Sequence, residues 1–380
     1  MPFVSLKRAL RLLALFILLG RFAGASASAQ TNPKFNVDLR LNFTVAEQCV
    51  DLYEDRFVST QELAGLRGSL VVASTAGLIA NSGSVTARLQ SSLDSLKYHD
   101  FMRDDVYHLE DARKNVAGIK ELLGEMKKQN FNRRVVATVE QIFPQDADIS
   151  LIIPVYVVAF GHENVDAYVR RILWRGDVPQ FVGEGEGELT IVINLAHAVN
   201  YGQTLNERFI SLLGVTAHEV FHAAFGAYKE NSSTWKRYYS KHNRPFHALM
   251  DLTQNEGIAY YLSLDQLGHG NLPRDWYNRT REVFSTFNAN ATELLSDKLT
   301  PSRASELIRT ANLSGYRDNY GAMAGMVMAR EIDLQMGRAA LVETIARGPI
   351  DFFRKYLKLS DEDSNLPRLN RAIASVIAAD

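Results

Sequence analysis

Cysteine is almost missing from this sequence: Cys49 is the only one in 380 residues. A disulfide framework within the chain and a zinc site built on several thiolates are thereby excluded. An excess of one charge is missing too. The 42 Lys+Arg residues face 43 Asp+Glu, a formal net charge of −1, so the basic face that nucleic-acid binding needs is not there. Neither a glycine-rich phosphate loop nor a nucleophile elbow can be found, and there is no internal repeat or low-complexity linker. Trp174, Trp235 and Trp276 form no stacking array and read as core, as does Cys49 on an apolar helix face. What remains is ordinary globular material, 46 % hydrophobic and 22 % charged, which excludes disorder, collagen and coiled-coil arrays. The length suits one large domain or two intimate ones.

The first thirty residues have their own texture. Lys7, Arg8 and Arg11 precede the apolar run Leu12 to Gly20, and Ala27-Ser28-Ala29 supplies small residues at a peptidase-like spacing. This reads as a signal peptide over 1–29, cleaved before Gln30. The run is about half the roughly 20 residues needed to span a bilayer. Loss of Lys7, Arg8, Arg11 and Arg21 would leave 38 basic against 43 acidic residues, a charge of −5. The expectation is an exported, periplasmic or secreted protein with no membrane span after signal removal.

Residues 30–148 read as an N-terminal helical region, with helical spacing through 42–57, 84–96, 101–128 and 132–143. Ser59 and Glu62 are spaced as a capping box that opens a further helix. The texture changes after Pro144. Ile149 to Phe160 and Leu189 to Leu195 are β-branched, aromatic runs and read as strands. Pro154 inside the first suggests an edge position or a bulge. Gly183-Glu184-Gly185-Glu186-Gly187-Glu188 between them reads as a solvated turn. Helical periods return at 205–229, 247–266, 276–294, 302–312, 319–337, 339–357 and 364–378. The expected fold is α+β and predominantly helical, with a small mixed sheet beside one active-site helix, and 149–380 form the catalytic region.

That helix contains the informative segment. His218-Glu219-Val220-Phe221-His222 lies in an apolar, helix-favouring stretch with Leu212, Leu213, Val215 and Phe225 around it. Residues four apart share a helix face, so both imidazoles can reach one ion. Two neutral imidazoles suit Zn²⁺, which needs a third protein ligand and leaves a position for water. Glu219, beside the first ligand, is placed to act on that water as a general base. The metzincin continuation is excluded, because Phe225 and Tyr228 stand where that pattern has Gly and His. The third ligand has five downstream candidates: Glu230, His242, His247, Asp251 and Glu256. Glu256, a lone acid in the apolar helix around Gln254-Asn255-Glu256-Gly257-Ile258-Ala259, needs a cation or a base such as Arg244. His247 is the reserve. His197, after the second strand, reads as a structural or surface histidine.

His218-Glu219-x-x-His222 followed by Asn255-Glu256-Gly257-Ile258-Ala259 resembles the gluzincin metallopeptidases. It is most similar to bacterial exported zinc-dependent peptidases of unknown function. The likeness extends to Val37-Asp38 and Val45-Ala46-Glu47, which resemble that group's N-terminal helices. Gly325 to Ala329, Gly337, Gly348-Pro349 and Phe352-Phe353 resemble its C-terminal helices. The resemblance implies that His218, His222 and Glu256 bind one zinc per chain and that Glu219 is the base. It implies a peptide or protein substrate that pairs with a cleft strand, Leu189 to Leu195. It further implies that a tyrosine stabilises the oxyanion, Tyr320 first by position and Tyr316 second. Thermolysin-like enzymes carry an acid four residues after the ligand glutamate, where this chain has Tyr260, so the partner of a zinc histidine must come from elsewhere. Two other readings share these features: a non-catalytic zincin-like binding protein, and a zinc hydrolase acting on a non-peptide bond.

Overall fold

In the computed structural model, residues 34–79, 85–100, 102, 104–161, 167–183, 186–268, 275–312 and 319–380 are described. The expected signal peptide and Tyr316 lie outside them, as does part of the 183–188 turn. The first strand, β1 (Phe35–Asn42), buries Phe35, Val37 and Leu39 and exposes the residues between, the period-two pattern of a sheet edge. Val37 and Asp38, grouped with helices by resemblance, therefore belong to a strand.

Seven helices follow: α1 (Thr44–Tyr53), α2 (Thr60–Gly65), α3 (Arg67–Ile79), α4 (Val85–Lys97), α5 (Leu109–Lys114), α6 (Val116–Lys128) and α7 (Phe131–Glu140). Ser59 caps α2 by accepting from the Glu62 amide. Four strands come next: β2 (Ile149–Val158), β3 (Ala167–Arg175), β4 (Val178–Val182) and β5 (Glu188–Asn194). The sheet order is β1-β2-β5-β3-β4. The β1–β2 and β2–β5 pairs are parallel, while β3 runs antiparallel to β5 and β4.

Two expectations about strands change here. β2 is flanked by β1 and β5, so Pro154 does not mark an edge strand. It lies just ahead of the Val155–Val158 stretch that pairs with β5, where the strand passes from one neighbour to two. β5 likewise sits between β2 and β3. Ile191 to Ile193 pair on both sides, with β2 and with β3, which leaves the centre of Leu189 to Leu195 no room for a substrate strand. The β3–β4 hairpin carried too many arginines to read as a strand pair. Its turn is Gly176-Asp177, and Gly176 has φ +60°, the conformation a two-residue hairpin loop demands at that position.

The remaining helices are α8 (Leu195–Ala198), α9 (Leu205–Asn231), α10 (Ser233–Lys241), α11 (Pro245–Gly268), α12 (Trp276–Leu294), α13 (Pro301–Thr310), α14 (Tyr320–Met336), α15 (Arg338–Arg347), α16 (Pro349–Glu362) and α17 (Arg371–Ala379). The sheet is covered on one face by α1 and α3 and on the other by α9, whose far side meets α11, and α11 meets α14 in turn. A capping box starts α9: Thr204 accepts from the Glu207 amide at 3.2 Å, and the Glu207 carboxylate accepts from the Thr204 amide at 3.1 Å. Aromatic packing sets its position on the sheet. Phe143 contacts Phe35, Phe221 and Phe225, with ring centroids 5.3, 5.6 and 6.3 Å away. Phe225 meets Trp235 edge-on at 5.1 Å. Each such pair adds about 0.5–1.5 kcal/mol beyond the area it buries. The fold is thus α+β and predominantly helical, as the sequence pattern predicts, and α9 is held between the sheet and α11.

Candidate metal centre

With Val220, Phe221 and Ala224 of α9 turned into the core, His218 and His222 are left on the face toward α11. Their Nε2 atoms lie 3.0 Å apart. Oε2 of Glu256 approaches from α11, 3.3 Å from His222 Nε2 and 3.8 Å from His218 Nε2. Tetrahedral zinc with ligand distances near 2.0–2.2 Å holds its donors roughly 3.3 Å apart, and the three observed separations bracket that value. Two imidazoles and one carboxylate are also the donor types of open zinc sites. The residues present fit the ion.

Each of the three donors is oriented from behind. His222 Nδ1 donates to Asn255 Oδ1 at 3.1 Å, so that the neutral ring, the form a metal takes, presents its Nε2 lone pair to the cluster. The backbone of Ala259 is a hydrogen-bond partner of His218, and Asn312 Nδ2 donates to Glu256 Oε1 at 2.8 Å. Such partners fix ring orientation and raise ligand basicity. Tyr260 stands edge-on to the His218 ring, centroids 4.7 Å apart, where thermolysin-like chains have an acid. Its hydroxyl accepts from Asn319 Nδ2 at 3.3 Å. The orienting groups expected from elsewhere are therefore mostly amides next to the ligands in sequence or in space. Asn255 had a visible signal in the residue before Glu256, whereas Asn312 and Ala259 had none.

Electrostatics among the side chains alone divide the two histidines. Burial, helped by the charge of His222, drives His218 down to about 3. Burial also pulls His222 down, but the Glu256 carboxylate against it prevails and lifts it to about 9. Glu256 itself moves below its ordinary range, because His222 outweighs the burial that would raise it. Glu219 sits one residue along from His218, and its Oε2 accepts from the Val169 amide of β3 at 3.2 Å. Burial raises its carboxyl to about 7.

The other candidate ligands are elsewhere. Glu230 is exposed on α9. Asp251 pairs with Lys229 and accepts from the Tyr239 hydroxyl at 2.8 Å. His242 and His247 lie with Asp380, so the reserve ligand is not at this centre. Arg244, the alternative partner for Glu256, faces Asp297 at 3.9 Å. Tyr320 is 3 % exposed and donates its hydroxyl to the Leu307 carbonyl at 2.8 Å, with its ring against Phe287. That placement gives the hydroxyl a structural partner and lends no support to an oxyanion role. A cleft of about 470 Å³ runs along α11 from Glu256 and Asn255 to His242 and His247.

Residues 76–365 match the family described as "Putative zinc dependent peptidase (DUF5700)". No curated protein and no solved structure matches the chain. Since the matched residues make up most of the chain and include both helices that supply the histidines and Glu256, the protein belongs to this family of zinc-dependent peptidases.

Proposed function

We propose that the chain hydrolyses peptide bonds as a gluzincin, with one zinc ion held by His218, His222 and Glu256. The observation that carries this is the convergence of those three donors within 3.8 Å of one another, beside a carboxylate that is not among them. Zinc bound there supplies a Lewis acid that brings a water molecule toward neutral pKa and polarises a scissile carbonyl. Glu219 handles the protons. The Val169 amide holds one of its oxygens at 3.2 Å, and the carboxylate takes a proton from the attacking water and returns it to the leaving amine nitrogen. A purely structural or binding site has no use for that carboxylate.

β3, rather than β5, is the strand proposed beside the substrate. Val169 contacts Glu219, and the described pairing of β3 with β4 covers Arg171–Arg175, beyond that point. Export to the periplasm or the medium, expected from residues 1–29, belongs to the same proposal.

The test is Glu219→Gln beside Glu256→Ala, read by zinc content and by cleavage of a broad library of quenched peptides. Glu219→Gln should keep its zinc and lose about 10²–10⁴-fold in turnover, while Glu256→Ala should lose turnover and the tightly bound zinc. Full activity in Glu219→Gln would overturn the mechanism. A wild type that holds zinc and cleaves no peptide would move the reading to a zincin-like binding protein or to a hydrolase of another bond.

A further inference from the structure

A second group of ligand-type side chains lies at the far end of the cleft. His242 ends α10, His247 lies in the first turn of α11, and Asp380 follows α17. His247 Nε2 is 3.1 Å from Asp380 Oδ2, and His242 Nδ1 is 3.9 Å from Asp380 Oδ1. The two imidazole centroids are 4.7 Å apart. One ligand atom from each residue falls within 4.8 Å of the others.

We infer that His242, His247 and Asp380 form a second site for a zinc-type divalent ion, one that clamps α17 to the connection between α10 and α11. The chemistry of the cluster supports this over an ordinary hydrogen-bonded histidine pair. Among the described residues, the side-chain polar contacts of Asp380 are these two imidazoles, with no Lys or Arg paired to it. A metal takes imidazole in its neutral form and carboxylate as the anion, so the three side chains together can complement a cation. The donor set is one that zinc, cobalt and nickel accept.

The imidazoles are already held in place. The Tyr238 hydroxyl donates to the His247 carbonyl at 2.7 Å, and its ring contacts both imidazoles, at 5.0 Å for His242 and 6.3 Å for His247. His247 is buried at 6 % exposure, and among the described residues its Nδ1 has no hydrogen-bond partner, so the polar contact of the ring is the one to Asp380. The donors stand wider than at the first centre, and closing them on an ion needs a shift on the order of 1 Å. Asp380, at the exposed end of a nine-residue helix, is the group that can move. Bound metal would join segments 138 positions apart, His242 and Asp380.

The site is independent of the peptidase reading, and its test keeps the two apart. The full metal-free chain is equilibrated with buffered free zinc from nanomolar to high micromolar, and bound zinc is counted in wild type, His242→Ala, Asp380→Ala and Glu256→Ala. Wild type should take up about two zinc ions, the second more weakly. His242→Ala and Asp380→Ala should each keep only the tight one, and Glu256→Ala only the weak one. His242 and Asp380 lie nearer the surface than His247, so their variants remain folded, which far-UV circular dichroism checks. In the Glu256→Ala background, zinc should raise the unfolding temperature, and Asp380→Ala should abolish that rise. Saturation of wild type at one ion, or uptake of two by Asp380→Ala, would overturn the second site while leaving the first untouched.

Discussion

Asn255 and Glu256, neighbours on α11, hold opposite nitrogens of one imidazole: Asn255 Oδ1 accepts from His222 Nδ1 at 3.1 Å, and Glu256 Oε2 lies 3.3 Å from His222 Nε2. One turn of helix therefore supplies a donor and also fixes the tautomer of another. Asn255→Ala should weaken zinc binding by about 10–100-fold without removing a ligand. Competition with a chromophoric chelator measures this, and a change below about threefold would leave Asn255 with no orienting role.

The placement of Glu256 depends in turn on two glycines. A Cβ on Gly325 of α14 would stand 1.9 Å from the Thr253 carbonyl of α11, and one on Gly257 would stand 2.2 Å from the Gly325 backbone. Backbone atoms cannot yield as flexible side chains do, so Gly325→Ala must force the helices apart. The expected cost is on the order of 3 kcal/mol, seen as a lower urea midpoint, together with weaker zinc binding as α11 shifts. Gly226 is the control. It lies on the exposed side of α9 with open space around it, and Gly226→Ala should stabilise by about 1 kcal/mol through helix propensity alone.

The elements that carry the centre could be read from the sequence because their signals are local. The i, i+4 histidines in an apolar stretch fix both the helix and the shared face, and Glu256 stands out as an acid in an apolar helix. The helical series and two of the five strands follow from period and β-branching. β1 was equally legible in the alternation Phe35, Val37, Leu39, yet the resemblance drew it toward the helices. The β3–β4 hairpin was hidden by Arg170, Arg171 and Arg175. Its polar side is accommodated by stacking, with Arg170 over Tyr168 at 4.8 Å and Arg67 over Trp174 at 4.7 Å. Contacts between distant segments, such as Asn312 with Glu256 or Asp380 with His247, leave no periodic trace, so the inner and outer partners of the histidines emerge only from the packing.

The single thiol reports on the integrity of the core. Cys49 is fully buried on α1, and burial pushes its pKa from 9.0 up to about 12. At pH 8 it stays protonated and shielded, so a disulfide reagent should label the unfolded chain and leave the folded one unlabelled. Because the folded pKa is the higher one, the contribution of this group to stability is intact below pH 9. It falls as the pH rises from about 9 toward 12, when only the unfolded chain loses the proton. Labelling of the native protein at neutral pH within minutes would contradict this burial.

Two tyrosines divide the remaining question at the metal centre. The Tyr320 hydroxyl is committed to the Leu307 carbonyl at 2.8 Å inside the core, so Tyr320→Phe should cost about 1 kcal/mol of stability and leave peptide turnover within about twofold. Tyr260 instead leans its ring on His218. Tyr260→Phe keeps that ring and should keep zinc affinity, whereas Tyr260→Leu removes the contact and should loosen the imidazole and weaken zinc. Affinity and turnover measured side by side on the three variants separate packing from chemistry. A hundredfold loss of turnover in Tyr320→Phe, with zinc and stability intact, would restore the oxyanion role that resemblance assigns to it and would require the Leu307 bond to break during the reaction.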